Sequence, residues 1–122
     1  MIVLDTHAWI WLTSDPDKLG VAARAALHAA RSKVIAAISC WAARGRIELD
    51  RDPVTWMEAS LQVEGIELLP LTPAVATASV SLVDFHGDPA DRLVVATAMT
   101  HGAALVTKDA NIIGAKIVKT VW

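Results

Sequence analysis

The chain has 122 residues, 54% of them hydrophobic and 20% charged, which is the size of one domain and apolar enough to bury its own core, so a linker, a peptide and a disordered tail are excluded. Eleven Lys and Arg against thirteen Asp and Glu leave a formal charge of −2; with no global positive field to gather phosphates, a nucleic-acid partner requires a local patch or a metal ion. The one cysteine, Cys40, excludes an internal disulfide framework and no zinc-finger spacing is present, which suits a reducing cytoplasm.

The start MIVLDTHAWIWL is interrupted by Asp5 and His7 and falls short of the ~18 apolar residues of a membrane span, so neither a signal peptide nor a membrane helix is expected. Ile2 to Leu4 reads as a short strand buried on both faces and closed by Asp5, with the next element beginning at Thr6. Asp15, Pro16 and Asp17 stand as start signals before an Ala-rich helix between Leu19 and Ala30. Lys33 leads into VIAAIS, a second buried strand ending at Ser39. Asp52 and Pro53 open a helix that Gly65 closes. ELLPL is a third strand, short or at an edge because of Pro70. Thr72 and Pro73 open a helical stretch through Val83, and Asp88, Pro89 and Asp91 open another that stops at Gly102. Ala104 to Val106 and Ile117 to Val121 complete the strands.

Strands alternating with helices along the chain predict a single α/β domain over residues 1–122: a small, mostly parallel five-stranded sheet with helices on both faces, a three-layer α/β/α arrangement. No repeat, low-complexity segment or linker divides it.

Ligands of an open α/β sheet bind beyond the carboxyl ends of its strands, and the polar residues falling there are mostly aspartates. Asp5 ends the first strand, Asp109 follows ALVTK, and the HGDPAD turn puts Asp88 and Asp91 at the start of the helix before that strand. Clustered carboxylates repel one another, and a hard divalent cation is the physical reason to collect them. Mg²⁺ or Mn²⁺ so held polarises a phosphoryl oxygen and activates water, the chemistry of phosphodiester hydrolysis. Each acid also has a structural reading. Asp88 before Pro89 is an N-cap, Asp91 sits in a first helical turn where the dipole favours a carboxylate, and Asp109 caps a short DANIIG turn. Asp5 is harder to explain that way, because a charge directly after a buried strand is costly unless paired or bound to a cation.

Together LDTHAWIWL, AISCW, HGDPADRLVVATA and LVTKDANI resemble the PIN-domain ribonucleases, specifically the VapC toxins of bacterial toxin–antitoxin pairs. The resemblance covers nearly the whole chain in motif order, and HGDPADR is its most specific piece. It implies a PIN-like fold and an endoribonuclease that holds Mg²⁺ or Mn²⁺ on acidic residues. Asp5, Asp91 and Asp109 match the first, third and fourth acids, as catalytic residues and metal ligands. Asp88 matches a neighbouring acid, Thr6 and Ser39 match small hydroxyl residues beside the site, Thr107 lies near the fourth acid as a supporting residue, and Arg92 matches a basic residue that supports the acids or contacts RNA, its plain alternative being a solvated helix face. The implied partners are an RNA substrate, a cognate VapB-type antitoxin and a second copy in a homodimer, in the cytoplasm.

One departure stands out. The family pattern continues AISCW with a Glu and about two helical turns, whereas Trp41 here is followed by Ala42, Ala43, Arg44, Gly45 and Arg46. The stretch lacking is about five residues, and Ala42 holds the place of the second acid and cannot ligate anything. Either this is a true deletion, shortening a helix that lines the site, or residues are missing from the sequence as recorded; the intact ISCW and RGRIEL flanks favour the latter. Glu48 is the nearest acid downstream and reads as a surface residue.

His7, His28, His86 and His101 share no ligand spacing, and an oxygen-rich site selects Mg²⁺ or Mn²⁺ over zinc; His101 reads as a cation at a helix C-terminus. Of Trp9, Trp11, Trp41, Trp56 and Trp122, most read as core, with one or two marking a homodimer or antitoxin surface. Arg44, Arg46 and Arg51 form either a phosphate patch or a solvated loop. The alternative function is a catalytically impaired module that binds antitoxin or RNA without turnover. A receiver-like or aspartyl-phosphatase domain fits poorly, because the third strand ends in LTP without an Asp, and a dinucleotide site lacks its glycine-rich turn.

Overall fold

The computed structural model describes residues 1–46, 52–85 and 87–122; Glu48, Arg51 and His86 lie outside the described residues. Five strands, β1 (Ile2–Leu4), β2 (Lys33–Ala36), β3 (Ile66–Leu69), β4 (Ala104–Val106) and β5 (Thr120–Val121), form one sheet in the order β3-β2-β1-β4-β5. Every pairing in it is parallel.

The register explains the unbroken apolar run of β1. Val3 lies level with Val34 and Leu105, and these three join one buried cluster with Val94, Val95 and Ala98. Their neighbour Leu4, level with Ile35 and Val106, turns to the opposite face and joins Trp9, Ala23, Leu27 and Trp56. A strand covered on both sides needs no polar alternation.

The first layer comprises α1 (Thr6–Ser14), α2 (Val21–Ala29) and α4 (Pro53–Glu64), whose residues fill the Trp9 cluster. Trp9 is fully buried, donates its indole N–H to Ser60 Oγ at 3.0 Å and meets the Trp56 ring at 5.4 Å. The second layer is built on α6 (Pro89–Thr100), against which α5 (Pro73–Val80) packs, and on Ile112 of α7 (Ala110–Ala115). The expected α/β/α layering over a small parallel sheet is therefore present.

Cap residues set the helix boundaries. Asp52 and Thr72 accept the amides of Thr55 and Val75, and Gly65 ends α4 at φ +61°, a conformation that suits glycine. Asp15, Pro16 and Asp17 open a 3₁₀ turn (Pro16–Lys18) before α2 rather than α2 itself.

Three boundaries differ from expectation. VIAAIS is strand only to Ala36, because β1 ends at Leu4 level with Ile35 and β3 ends at Leu69 level with Ala36. With no neighbour left, the chain coils into α3 (Ile38–Ala43), so Ser39 is helical. Strand pairing at the C-terminal end covers only Thr120 and Val121, since β4 offers Leu105 and Val106 alone; Ile117 and Val118 pack on the core without pairing. Finally, α5 stops at Val80, three residues short of Val83, where Arg92 captures the carbonyls of Ser79 in the last turn and of Leu82 beyond it.

Candidate active site

From β1 the chain runs outward through β2 and β3, then returns to place β4 and β5 on the other side of β1. The strand order thus reverses between β1 and β4, and the crevice at their carboxyl ends is where an open parallel sheet binds its ligand. Asp5 leaves β1 and Thr107 leaves β4 at this point, joined by the Asp5 amide donating to the Val106 carbonyl at 3.0 Å.

Asp5 is 9% exposed and caps α1, its Oδ1 accepting the Ala8 amide at 2.8 Å, while Oδ2 accepts the Thr107 hydroxyl. Burial raises its pKa, opposed by those two hydrogen bonds and by nearby His7, and the charge of Asp109 pushes the same way as burial. Asp109 caps α7 through Oδ1 and the Ile112 amide at 3.0 Å, and its own amide donates to Thr107 Oγ1 at 3.1 Å. Thr107, fully buried, therefore bridges the two acid-bearing turns.

The third segment arrives on α6. Asp88 caps that helix by accepting the Asp91 amide at 2.8 Å. The half-buried Asp91 carboxyl is pushed up to about 6, first by burial and then by the charges of Asp88 and Asp109, with Asp5 adding and Arg46 opposing. Three segments distant in sequence thus bring carboxyls within reach of one another's charge. The structural reading of Asp88, Asp91 and Asp109 as helix-start residues also holds: Asp88 and Asp109 cap α6 and α7 and Asp91 stands in the first turn of α6, while Asp5, for which no such reading was expected, caps α1.

Among the other expected residues, Thr6 is buried at the first position of α1. Ser39 is fully buried in α3, and its Oγ finds no hydrogen-bond partner among the described residues. Arg92 neither touches a carboxylate nor lies solvated on a helix face. Its guanidinium donates to the carbonyls of Phe85 and Ser79 at 2.7 Å and of Leu82 at 3.1 Å, so it fastens the chain after α5 onto α6. His101 caps the end of α6, with Nδ1 2.9 Å from the Thr97 carbonyl oxygen.

Two cavities flank the carboxylates. One, of about 360 Å³, is lined by Trp41, Ala42, Arg44, Gly45, Arg46, Asp88 and Ala90. It places the exposed Arg44 and Arg46 near the start of α6, where the position held by Ala42 presents only a methyl group. The other, of about 350 Å³, is lined by Asp5, His7, Trp11, Lys108, Asp109 and Trp122. His7, Lys108 and the ring wall of Trp11 and Trp122 were not assigned to the site from sequence. A local signal for three of them existed, since His7 and Trp11 follow Asp5 on one helix and Lys108 adjoins Asp109. No local signal brings Trp122 there.

An all-carboxylate donor set suits a hard cation; burial raises the pKa of Asp5 and Asp91 first, and the further raising by neighbouring carboxylates is the repulsion that such an ion relieves. The residues fit Mg²⁺ or Mn²⁺ in kind. As they stand, no three acidic, histidine or cysteine side chains among the described residues are grouped as a preassembled metal site.

Residues 2–117 match the family profile described as PIN domain. The chain is 40% identical over 114 residues to Ribonuclease VapC22 of Mycobacterium tuberculosis, covering 88% of this chain and 86% of that one. Among solved structures it is similar to a toxin–antitoxin complex from Klebsiella pneumoniae, with TM-score 0.69, 20% identity, and 97% of this chain and 95% of that chain covered. FitAcB from Neisseria gonorrhoeae gives TM-score 0.66 at 22% identity, covering 98% and 96%. At such identities these two likenesses speak for the fold.

Proposed function

The chain belongs to the PIN-domain family, in its VapC-type ribonuclease branch, and on that premise we propose that it is a divalent-metal-dependent endoribonuclease toxin that cuts RNA phosphodiester bonds and is held in check by a cognate antitoxin. The observation that carries this reading is that Asp5 and Asp109 line one cavity at the carboxyl ends of β1 and β4 and that Asp91, at the start of α6, lies within reach of the charge of both.

These three residues would hold the ion. When bound, Mg²⁺ or Mn²⁺ polarises the phosphoryl oxygen and lowers the pKa of a water. The rest falls to the chain. Thr107 and the Ala8 amide fix both oxygens of Asp5, so its carboxylate is oriented before any ligand arrives. Asp88 and Arg46 adjust the charge felt by Asp91 in opposite directions. Arg44 and Arg46, exposed and lining one cavity with Asp88, would meet the RNA phosphates.

The antitoxin proposed as partner is of the VapB type, supported by the toxin–antitoxin complexes among the structural relatives. A homodimer is the proposed assembly; Trp41, 61% exposed, is the kind of aromatic that concentrates at such contacts. Family membership supports a cytoplasmic location. No helix among the described residues is long and apolar enough to cross a membrane.

The test is cleavage of single-stranded and structured RNA by the purified chain in Mg²⁺ or Mn²⁺ against EDTA. Asp5→Asn is expected to lower the rate by about a hundredfold or more, as loss of one preorganised electrostatic group does, while the fold survives. Undiminished cleavage by that variant would overturn the assignment, and no cleavage by the parent chain at any metal concentration would favour the binding module without turnover.

A further inference from the structure

Two of the acids, Asp5 and Asp109, form only one wall of the 350 Å³ cavity; the other wall is made of rings and an ammonium group. His7 and Trp11 lie one turn apart on α1 and so share a face, with ring centroids 5.4 Å apart. Trp11 meets the edge of Trp122 at 5.7 Å. Trp122 is held in place by its backbone, its carbonyl accepting the Ala23 amide at 3.1 Å. Gly20 makes room for it, because a Cβ there would stand 2.5 Å from the Trp122 carbonyl carbon. Lys108 Nζ lies over Trp11 at 4.6 Å and 6.0 Å from the Trp122 ring, and Lys18 Nζ lies 5.8 Å from Trp11.

Metal chemistry gives no reason for this wall. Two half-buried indoles and an exposed imidazole stand beside the carboxylates, and the ammonium groups of Lys108 and Lys18 lie against the Trp11 ring. In a chain of net charge −2, that local pairing of ring faces and ammonium groups matches the two parts of a nucleotide, a flat base and an anionic phosphate. The volume is at the low end for small-ligand sites and suits one nucleotide rather than a duplex.

We propose that this cavity is a nucleobase subsite: it stacks the base of a single-stranded ribonucleotide on Trp11 and Trp122, with the attached phosphate directed to the Asp5–Asp109 edge and Lys108 leaving the ring face to pair with it. The proposal rests on the ribonuclease reading of those carboxylates. A peptide side chain is the competing occupant.

Adenosine monophosphate with Mg²⁺ is the probe, read by tryptophan fluorescence against ribose 5-phosphate with Mg²⁺. Neither compound has a phosphodiester to cut, so binding is measured whether or not the chain cleaves RNA. The nucleotide is expected to quench emission and the sugar phosphate is not. Trp122→Ala and Gly20→Ala, the second displacing the ring without removing it, should each weaken the nucleotide by about tenfold, the scale of one lost stacking contact. Trp11→Phe should keep most of the affinity. Lys108→Ala, on an exposed side chain, should weaken adenosine monophosphate and leave adenosine unchanged. Absence of quenching by the nucleotide, equal quenching by the sugar phosphate, or undiminished affinity in folded Trp122→Ala would overturn the subsite. Quenching by N-acetylphenylalanine amide in place of the nucleotide would also overturn it, in favour of a peptide. Nucleotide binding without RNA cleavage would sink the ribonuclease reading and leave the subsite, and cleavage without nucleotide binding would do the reverse.

Discussion

The Thr107 hydroxyl at the end of β4 donates to the Asp5 carboxylate at the end of β1, across 102 positions of sequence, and accepts the Asp109 amide from the other side. One fully buried oxygen therefore joins two adjacent parallel strands at the point where the sheet reverses its order. Thr107→Val keeps the side-chain shape and removes both bonds. With Asp5 losing a donor in a buried setting, the cost is about 1–3 kcal/mol, or a fall in Tm of roughly 4 °C for each kcal/mol in a domain of this size. Thr107→Ser should recover most of it. Equal melting temperatures for Thr107→Val and the parent chain at pH 7 would show that the hydroxyl bridge contributes nothing.

Arg92 supports the site from a distance. Its guanidinium donates to the carbonyls of Ser79, Leu82 and Phe85, acceptors left open at the end of α5 and in the loop after it, and holds that loop beside the helix that carries Asp91. Arg92→Met retains the apolar stem and loses the donors. Stability is expected to fall by about 2 kcal/mol, the scale of charged hydrogen bonds removed from partly buried carbonyls, with chemical denaturation as the measurement. Mg²⁺ affinity should change far less than in Asp91→Asn; a matching loss in both variants would make Arg92 part of the carboxylate site after all.

The contrast between Thr107 and Arg92 shows what sequence could reveal here. Asp5, Asp88, Asp91 and Asp109 were legible because strand ends and helix starts are written locally, in an apolar run closed by Asp or in Asp-Pro before an apolar period. Thr107 was legible through its neighbour Asp109. Arg92 was not, because two of its acceptors, Ser79 and Leu82, lie 13 and 10 residues upstream in a stretch that reads as continuing helix. The end of β2 was misplaced for a related reason: VIAAIS is uniformly apolar, and what stops the strand at Ala36 is the length of its neighbours β1 and β3. Trp11 and Trp122 meet only because α2 packs against β5 and both rings pack on the Trp9 core cluster, which no spacing records.

The raised carboxyl of Asp91 makes a pH prediction for the metal-free chain. Its ordinary value is 3.8 and its folded value about 6, so between these values the folded state holds more protons than the unfolded one. Its contribution is therefore most favourable below about pH 4 and is lost as the pH rises through 6. Asp91→Asn removes that loss. Discounted for solvent screening of a half-exposed group, the variant should gain about 1 kcal/mol at pH 7.5 and less at pH 5, seen as a rise in Tm that narrows on acidification. Excess Mg²⁺ should reverse the order at pH 7.5, because the ion stabilises only the chain with the carboxylate intact. A Tm difference independent of both pH and Mg²⁺ would mean that the crowding of the carboxyls has no energetic weight.

Ala42 gives the sharpest test of how complete the proposed metal site is. It lines the 360 Å³ cavity on α3, opposite Asp88 and Ala90, at the position where the family pattern carries an acid. Arg46 lines the same cavity, and its charge opposes the raising of Asp91. A cation bound there meets a methyl group and a guanidinium where a fourth carboxylate would add both an oxygen donor and a negative charge. Ala42→Glu is therefore expected to raise Mn²⁺ affinity by about tenfold or more, comparable to the effect of groups that tune a metal's ligands, and to speed RNA cleavage at low metal. In the absence of metal the same substitution adds a further like charge near Asp91, so the variant should be less stable than the parent at pH 7.5 and regain the difference on Mn²⁺ addition. Calorimetric Mn²⁺ titration measures the first effect and thermal melting the second. Unchanged affinity together with unchanged stability would mean that position 42 does not face the carboxylates closely enough for its side chain to matter.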